Sequence, residues 1–116
     1  MIPVQLQNGV VIKALIDTGA TNSSVSPKVI YGDLKEENIK LQSTRISITV
    51  ADGGMLGANE MAVIIVKPEN NEAVEHAFCV VKFAGQDMII GYDFMREHDA
   101  VFYARDGIFE LRGNVE

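Results

Sequence analysis

Tryptophan is absent from this sequence, and cysteine is nearly so: Cys79 is the single thiol in 116 residues. One cysteine excludes an internal disulfide and leaves a chain compatible with a reducing compartment. Set in Phe78-Cys79-Val80-Val81, it reads as a small buried hydrophobe rather than a nucleophile. Basic residues are scarce. Ten Lys and Arg face 16 Asp and Glu, for a net charge of −6 and a pI near 4.8. No basic stripe is available to neutralise phosphates or anionic lipid, so direct nucleic-acid binding and membrane-surface binding are not expected. Long apolar runs are missing too. The longest, Met61–Val66, falls far short of the roughly 20 residues a spanning helix needs. The start, Met1-Ile2-Pro3, lacks the charged and apolar regions of a signal peptide, which points to a cytoplasmic protein. His76 and His98 have no neighbouring spacing that builds a zinc site, so both read as surface or half-buried residues. No metal and no cofactor is expected.

What is present is alternation. The length suits one domain spanning residues 1–116, and 47% apolar residues suffice for a core. Arg45-Ile46-Ser47-Ile48-Thr49-Val50 alternates polar with apolar, as a half-buried strand does. Val10–Ile16, Ala62–Val66, His76–Val81 and Met88–Ile90 read as further strands. Asn8-Gly9, Asp52-Gly53 and Asp106-Gly107 mark tight type I′ turns, predicting hairpins over Ile2–Ile16, Ser43–Val66 and Val101–Leu111. Tyr92–His98 is the one helical stretch, with a short turn or helix near Pro27–Tyr31. Gly32–Gln42 and Lys67–Glu75 are polar and read as surface loops. The expected class is all-β, with one short C-terminal helix.

The sharpest motif is Ala14-Leu15-Ile16-Asp17-Thr18-Gly19-Ala20-Thr21. An apolar strand ends on a carboxylate, Gly19 permits a tight turn, and Thr18 supplies a hydroxyl to fix it. A carboxylate delivered beside apolar walls is a candidate for a perturbed pKa. Taken alone, the triplet fits an ordinary turn-capping Asp equally well. A second motif changes the balance. Met88-Ile89-Ile90-Gly91 lies 74 positions after Asp17 (91 − 17) and runs into the helical stretch.

Together the two motifs resemble the retropepsin family of retroviral and retrotransposon aspartic proteases. There an apolar strand enters Asp-Thr-Gly-Ala, and a distant strand ends in two apolar residues and Gly before a helix. Gly91-Tyr92-Asp93-Phe94-Met95 looks closest to gypsy-type retrotransposon members. Viral members usually carry Arg where Tyr92 stands, so the ion pairing of that Arg is not carried over.

The resemblance implies a small, closed, barrel-like acid-protease fold and an aspartic endopeptidase that cleaves peptide or polyprotein substrates. Asp17, Thr18 and Gly19 would be catalytic. Ala20, Thr21, Asn22, Val25, Ile89 and Ile90 would line the substrate site. The hairpin Ser43–Val66 would be the flap, contributing Gly53, Gly54 and Met55 at its tip. Only one Asp-Thr-Gly exists, so the paired carboxylates of the mechanism require a homodimer with the site on its twofold axis. The C-terminal strands would help build the dimer sheet, and the short chain suggests release from a longer precursor. Two rival readings use the same fold class: a catalytically silent dimerisation or peptide-binding module, and a monomeric barrel for a small apolar ligand.

Overall fold

The computed structural model describes residues 1–49, 53–82 and 85–112. The order is β1 (Ile2–Leu6), β2 (Val11–Ile16), β3 (Ser24–Val25), a π-helical turn (Val29–Asp33), β4 (Lys40–Thr49), β5 (Met55–Pro68), β6 (Val74–Val80), β7 (Met88–Ile90), α1 (Tyr92–Glu97), β8 (Ala100–Tyr103) and β9 (Ile108–Leu111). The all-β class with one short helix is therefore what forms. Among the described residues, no helix is long and apolar enough to cross a membrane.

Seven strands join in the order β1-β2-β7-β3-β6-β5-β4. An added pairing of β1 with β5 curls six of them back on themselves, while β4 hangs outside on β5. The result is a partly closed sheet rather than a regular barrel. β8 and β9 form a separate two-stranded sheet.

The three expected hairpin pairings form, and at two of them the turn is not type I′. Type I′ needs positive φ at both central residues. Gly9 (φ 93°) has it and Asn8 does not. Leu6 N–H donates to Val10 O and Gly9 N–H to Leu6 O, so three residues close the loop. At the third hairpin Gly107 (φ 66°), not Asp106, takes the left-handed region. At the β4–β5 tip the positive φ falls on Gly53 (86°); Val50, Ala51 and Asp52 lie outside the described residues.

Two stretches expected as loops keep loop centres but are structured at their ends. Lys67 and Pro68 extend β5 because they pair with Gln5 and Val4 of β1, and Lys40–Gln42 open β4 against Met61–Val63. Leu34, within the polar stretch, is 1% exposed and plugs the core. The main core joins Val4, Ile12, Val25, Ile64, Phe78, Met88, Ile90 and Phe94. Burying each large aliphatic or aromatic side chain contributes roughly 1.5–3 kcal/mol. A second, smaller cluster of Ala58, Cys79 and Val81 packs under Ile46, Ile48 and Leu56 of the β4–β5 hairpin. Cys79 is the buried hydrophobe its context suggests.

Candidate active site

The site is built where β7 inserts between β2 and β3. β2 and β7 run parallel, with Leu15 opposite Ile89 and Ile16 opposite Ile90. β3 runs antiparallel to β7, with Ser24 opposite Ile89 and Val25 opposite Met88. The chain must therefore turn between Ile16 and Ser24, and Asp17 stands at the head of that turn. Asp17 N–H donates to Ile90 O at 2.9 Å, which anchors the loop to β7. Ala20 N–H returns to Asp17 O at 3.0 Å, and Gly19 N–H donates to Asp17 Oδ1 at 3.0 Å. The last bond orients the carboxylate from within its own loop. Asp17, Thr18 and Gly19 are all exposed in the single chain, so the carboxylate is open to a substrate or a partner.

Helix α1 clamps the far side of the loop. Tyr92 N–H donates to Ala20 O at 2.7 Å and Asp93 N–H to Thr21 O at 3.2 Å. Ser23, fully buried, joins the two motifs. Its backbone N–H (2.8 Å) and hydroxyl (2.6 Å) both donate to Asp93 Oδ1, and its Oγ accepts from Gly91 N–H at 2.9 Å. Burial alone would raise the Asp93 carboxyl. Hydrogen bonds from His76 and Ser23, the His76 charge and the Phe94 N–H outweigh it and hold the group below the usual carboxylate value. Asp93 thus stays an acceptor that ties helix to loop. A Cβ at Gly91 would stand 2.7 Å from Ala20 O and 3.0 Å from the Asn22 carbonyl, so only glycine permits this approach.

The expected site residues do not all gather. Asp17, Thr18, Gly19, Ala20, Thr21 and Asn22 form one continuous loop, with Thr21 and Asn22 lining a cavity of about 400 Å³ shared with Tyr92, Asp93, Arg96 and Glu97. Val25 and Ile90 are fully buried in the main core, so neither walls an open pocket in the single chain. Alternation along a strand explains this: the register puts Ser24, not Val25, opposite half-buried Ile89. Gly53, Gly54 and Met55 lie at the far end of the β4–β5 hairpin, with Met55 exposed by 65%.

Sequence reasoning missed Ser23 and Asp93 as the joint between motifs. Their separation of 70 positions hides it, and the polar run Thr21-Asn22-Ser23-Ser24 gives no sign of which member is buried. His76 also departs from expectation. It is buried, not superficial, and sits with Glu97 and His98 as the group of side chains able to hold a metal among the described residues.

Residues 2–97 match the family model described as "gag-polyprotein putative aspartyl protease". No curated protein sequence matches significantly. Among solved structures, the retroviral protease-like domain of Ddi1 from Leishmania major aligns with a TM-score of 0.65 at 20% identity, over 97% of this chain and 83% of that one. That likeness shows the fold. The family match, across most of the chain and through both motifs, shows the lineage: the chain belongs to the retroviral-type aspartyl proteases and has their retropepsin-like fold.

Proposed function

We propose that the protein is an aspartic endopeptidase whose active site is shared across a homodimer, each subunit supplying Asp17. The observation that carries this is the exposed Asp17 carboxylate, held by Gly19 N–H on a loop clamped from behind by α1 while its front is left open. In a homodimer the open front of the loop would meet its own copy across a twofold axis.

Two adjacent carboxylates then share one proton, because like charges at short range do not both ionise readily. The ionised one takes a proton from water, and the oxygen adds to the peptide carbonyl carbon. The protonated one hydrogen-bonds the carbonyl oxygen as charge develops there. Collapse of the tetrahedral intermediate breaks the C–N bond as a proton passes to nitrogen. Thr18 would fix the opposite loop, and Ala20, Thr21 and Asn22 would run along the substrate backbone. The β4–β5 hairpin would close over it, with Gly53, Gly54 and Met55 at its tip. Half-buried Ile89 supports preference for apolar side chains beside the scissile bond, in a polyprotein or another extended substrate.

Peptide-library cleavage with wild type and Asp17→Asn, paired with sedimentation, tests this. Cleavage by a dimer, blocked by a statine-type inhibitor and lost in Asp17→Asn, supports the reading. A folded dimer that cleaves nothing would make the chain a binding module instead, and a monomer would remove the shared site.

A further inference from the structure

We propose that His76, Glu97 and His98 form a binding site for a divalent transition metal of the zinc type, on the side of α1 remote from its amino end. Three donor atoms converge there. His76 Nδ1 lies 2.6 Å from Glu97 Oε2 and 3.1 Å from His98 Nε2, and His98 Nε2 lies 3.1 Å from Glu97 Oε2. A zinc ion with bonds of about 2.0–2.2 Å holds its ligand atoms roughly 3.3 Å apart in tetrahedral geometry. Two edges need to open by roughly 0.2 Å and the His76–Glu97 edge by roughly 0.7 Å to reach that spacing, and Glu97, whose side chain is 60% exposed, can swing to provide it.

The convergence follows from the fold. His76 alternates with Val74 and Phe78 on the inward face of β6, so its ring is driven beneath α1. It packs edge-on against Phe78 (5.1 Å) and Phe94 (4.8 Å) and is 6% exposed. An imidazole in such a place is costly unless its nitrogens are satisfied. Nε2 meets Asp93 Oδ2 at 3.1 Å. A carboxylate there holds the Nε2 proton, and a metal at Nδ1 would displace the proton that the 2.6 Å contact with Glu97 Oε2 otherwise accommodates. Zinc-binding histidines carry this same outer carboxylate. Two imidazole nitrogens 3.1 Å apart, beside a carboxylate oxygen, need a cation or a proton between them.

Two nitrogens and one carboxylate oxygen suit zinc better than calcium or magnesium, which prefer all-oxygen shells. An entry path exists. A cavity of about 590 Å³ opens onto His76 and Glu97 beside Gln7, Asn38 and Lys40, with room for water in the remaining coordination position. A bound ion would pin the C-terminal end of α1 to β6. The N-terminal end of that helix carries the bonds to the Asp17 loop, so the ion would stiffen the support of the loop from the opposite end of the same helix.

The test is calorimetric titration of chelator-treated protein with zinc chloride near neutral pH, alongside thermal unfolding with and without the ion. It is run in wild type and in Asp17→Asn, which removes the exposed loop carboxylate as a competing ligand. One zinc per chain is expected in both, with a raised Tm. His76 is buried and replacing it risks the fold, so His98→Gln and Glu97→Gln carry the ligand test, each checked for native circular dichroism. Each should weaken zinc by at least about 10-fold. No uptake up to about 1 mM zinc, a threshold for very weak binding, would overturn the proposal and leave protons bridging the cluster. Uptake of equal affinity in the folded His98→Gln variant would overturn it as well, by placing the metal elsewhere. Neither result touches the protease reading, which the cleavage assay decides.

Discussion

Gly91→Ala adds a single methyl group at the point where the two motifs touch. Its Cβ would be built 2.7 Å from Ala20 O and 3.0 Å from both the carbon and the oxygen of the Asn22 carbonyl. These are backbone atoms, and Ala20 O already accepts the Tyr92 N–H at 2.7 Å. No flexible side chain is there to swing away, so loop and helix must part by roughly half an ångström or more to reach ordinary van der Waals separation. Overpacking of this kind costs about 1–3 kcal/mol. Alanine also narrows the unfolded ensemble, which offsets about 0.4–1 kcal/mol. A net loss of about 1–2 kcal/mol lowers Tm by roughly 4–15 °C in a domain of this size. Activity should fall further than stability. The displaced segment is the Asp17 loop, and a misplacement approaching 1 Å costs on the order of 100-fold in turnover. Gly57→Ala is the matched control: no heavy atom lies within 4 Å of its Cβ. It should leave Tm unchanged or slightly raised. Circular-dichroism melting and kcat/KM on a cleaved peptide measure both effects. Were Gly91→Ala to melt within about 1 °C of wild type and turn over normally, the close packing of helix against loop would be refuted.

Ser23→Ala leaves the buried Gly91 N–H without its acceptor and removes one donor from Asp93, so urea denaturation should show a loss of about 1–3 kcal/mol. Cys79 is fully buried, and burial, with the Asp93 charge, pushes its thiol pKa up. It therefore remains the protonated, unreactive thiol at neutral pH, and a thiol reagent should label it only after unfolding; fast labelling of the native protein would contradict its core position. Gly53→Val places a β-branched residue at φ 86° in the β4–β5 tip, and steady-state kinetics should show impaired turnover with little change in Tm if that hairpin works as a lid. Specific activity should fall as the protein is diluted through its dimer dissociation constant, and activity per chain that holds constant where sedimentation shows only monomer would defeat the shared site.

The elements legible in the sequence were those set by local chemistry. Period-two alternation marks β4, and apolar runs ending in Asp17 and Gly91 mark the ends of β2 and β7. The Asp-Thr-Gly loop needs no distant contact to be recognised, because its turn, its carboxylate and its glycine are consecutive. Lys67 and Pro68 were misread because a polar residue and a proline carry no strand signal until β1 supplies the partner. The burial of Val25 in the single chain was not legible for a related reason. A one-residue step along a strand exchanges its two faces, and only the pairing of Ser24 with Ile89 shows which face meets the site. The buried joint of Ser23, Asp93 and Gly91, and the convergence of His76 with Glu97 and His98, belong to the tertiary structure alone. Each brings together side chains some 20 to 70 positions apart, and sequence spacing says nothing about distance once β3, β6 and α1 are packed on one another. The sequence by itself determined that this chain carries one acid-protease motif on an all-β scaffold; packing decided which residues hold that motif still.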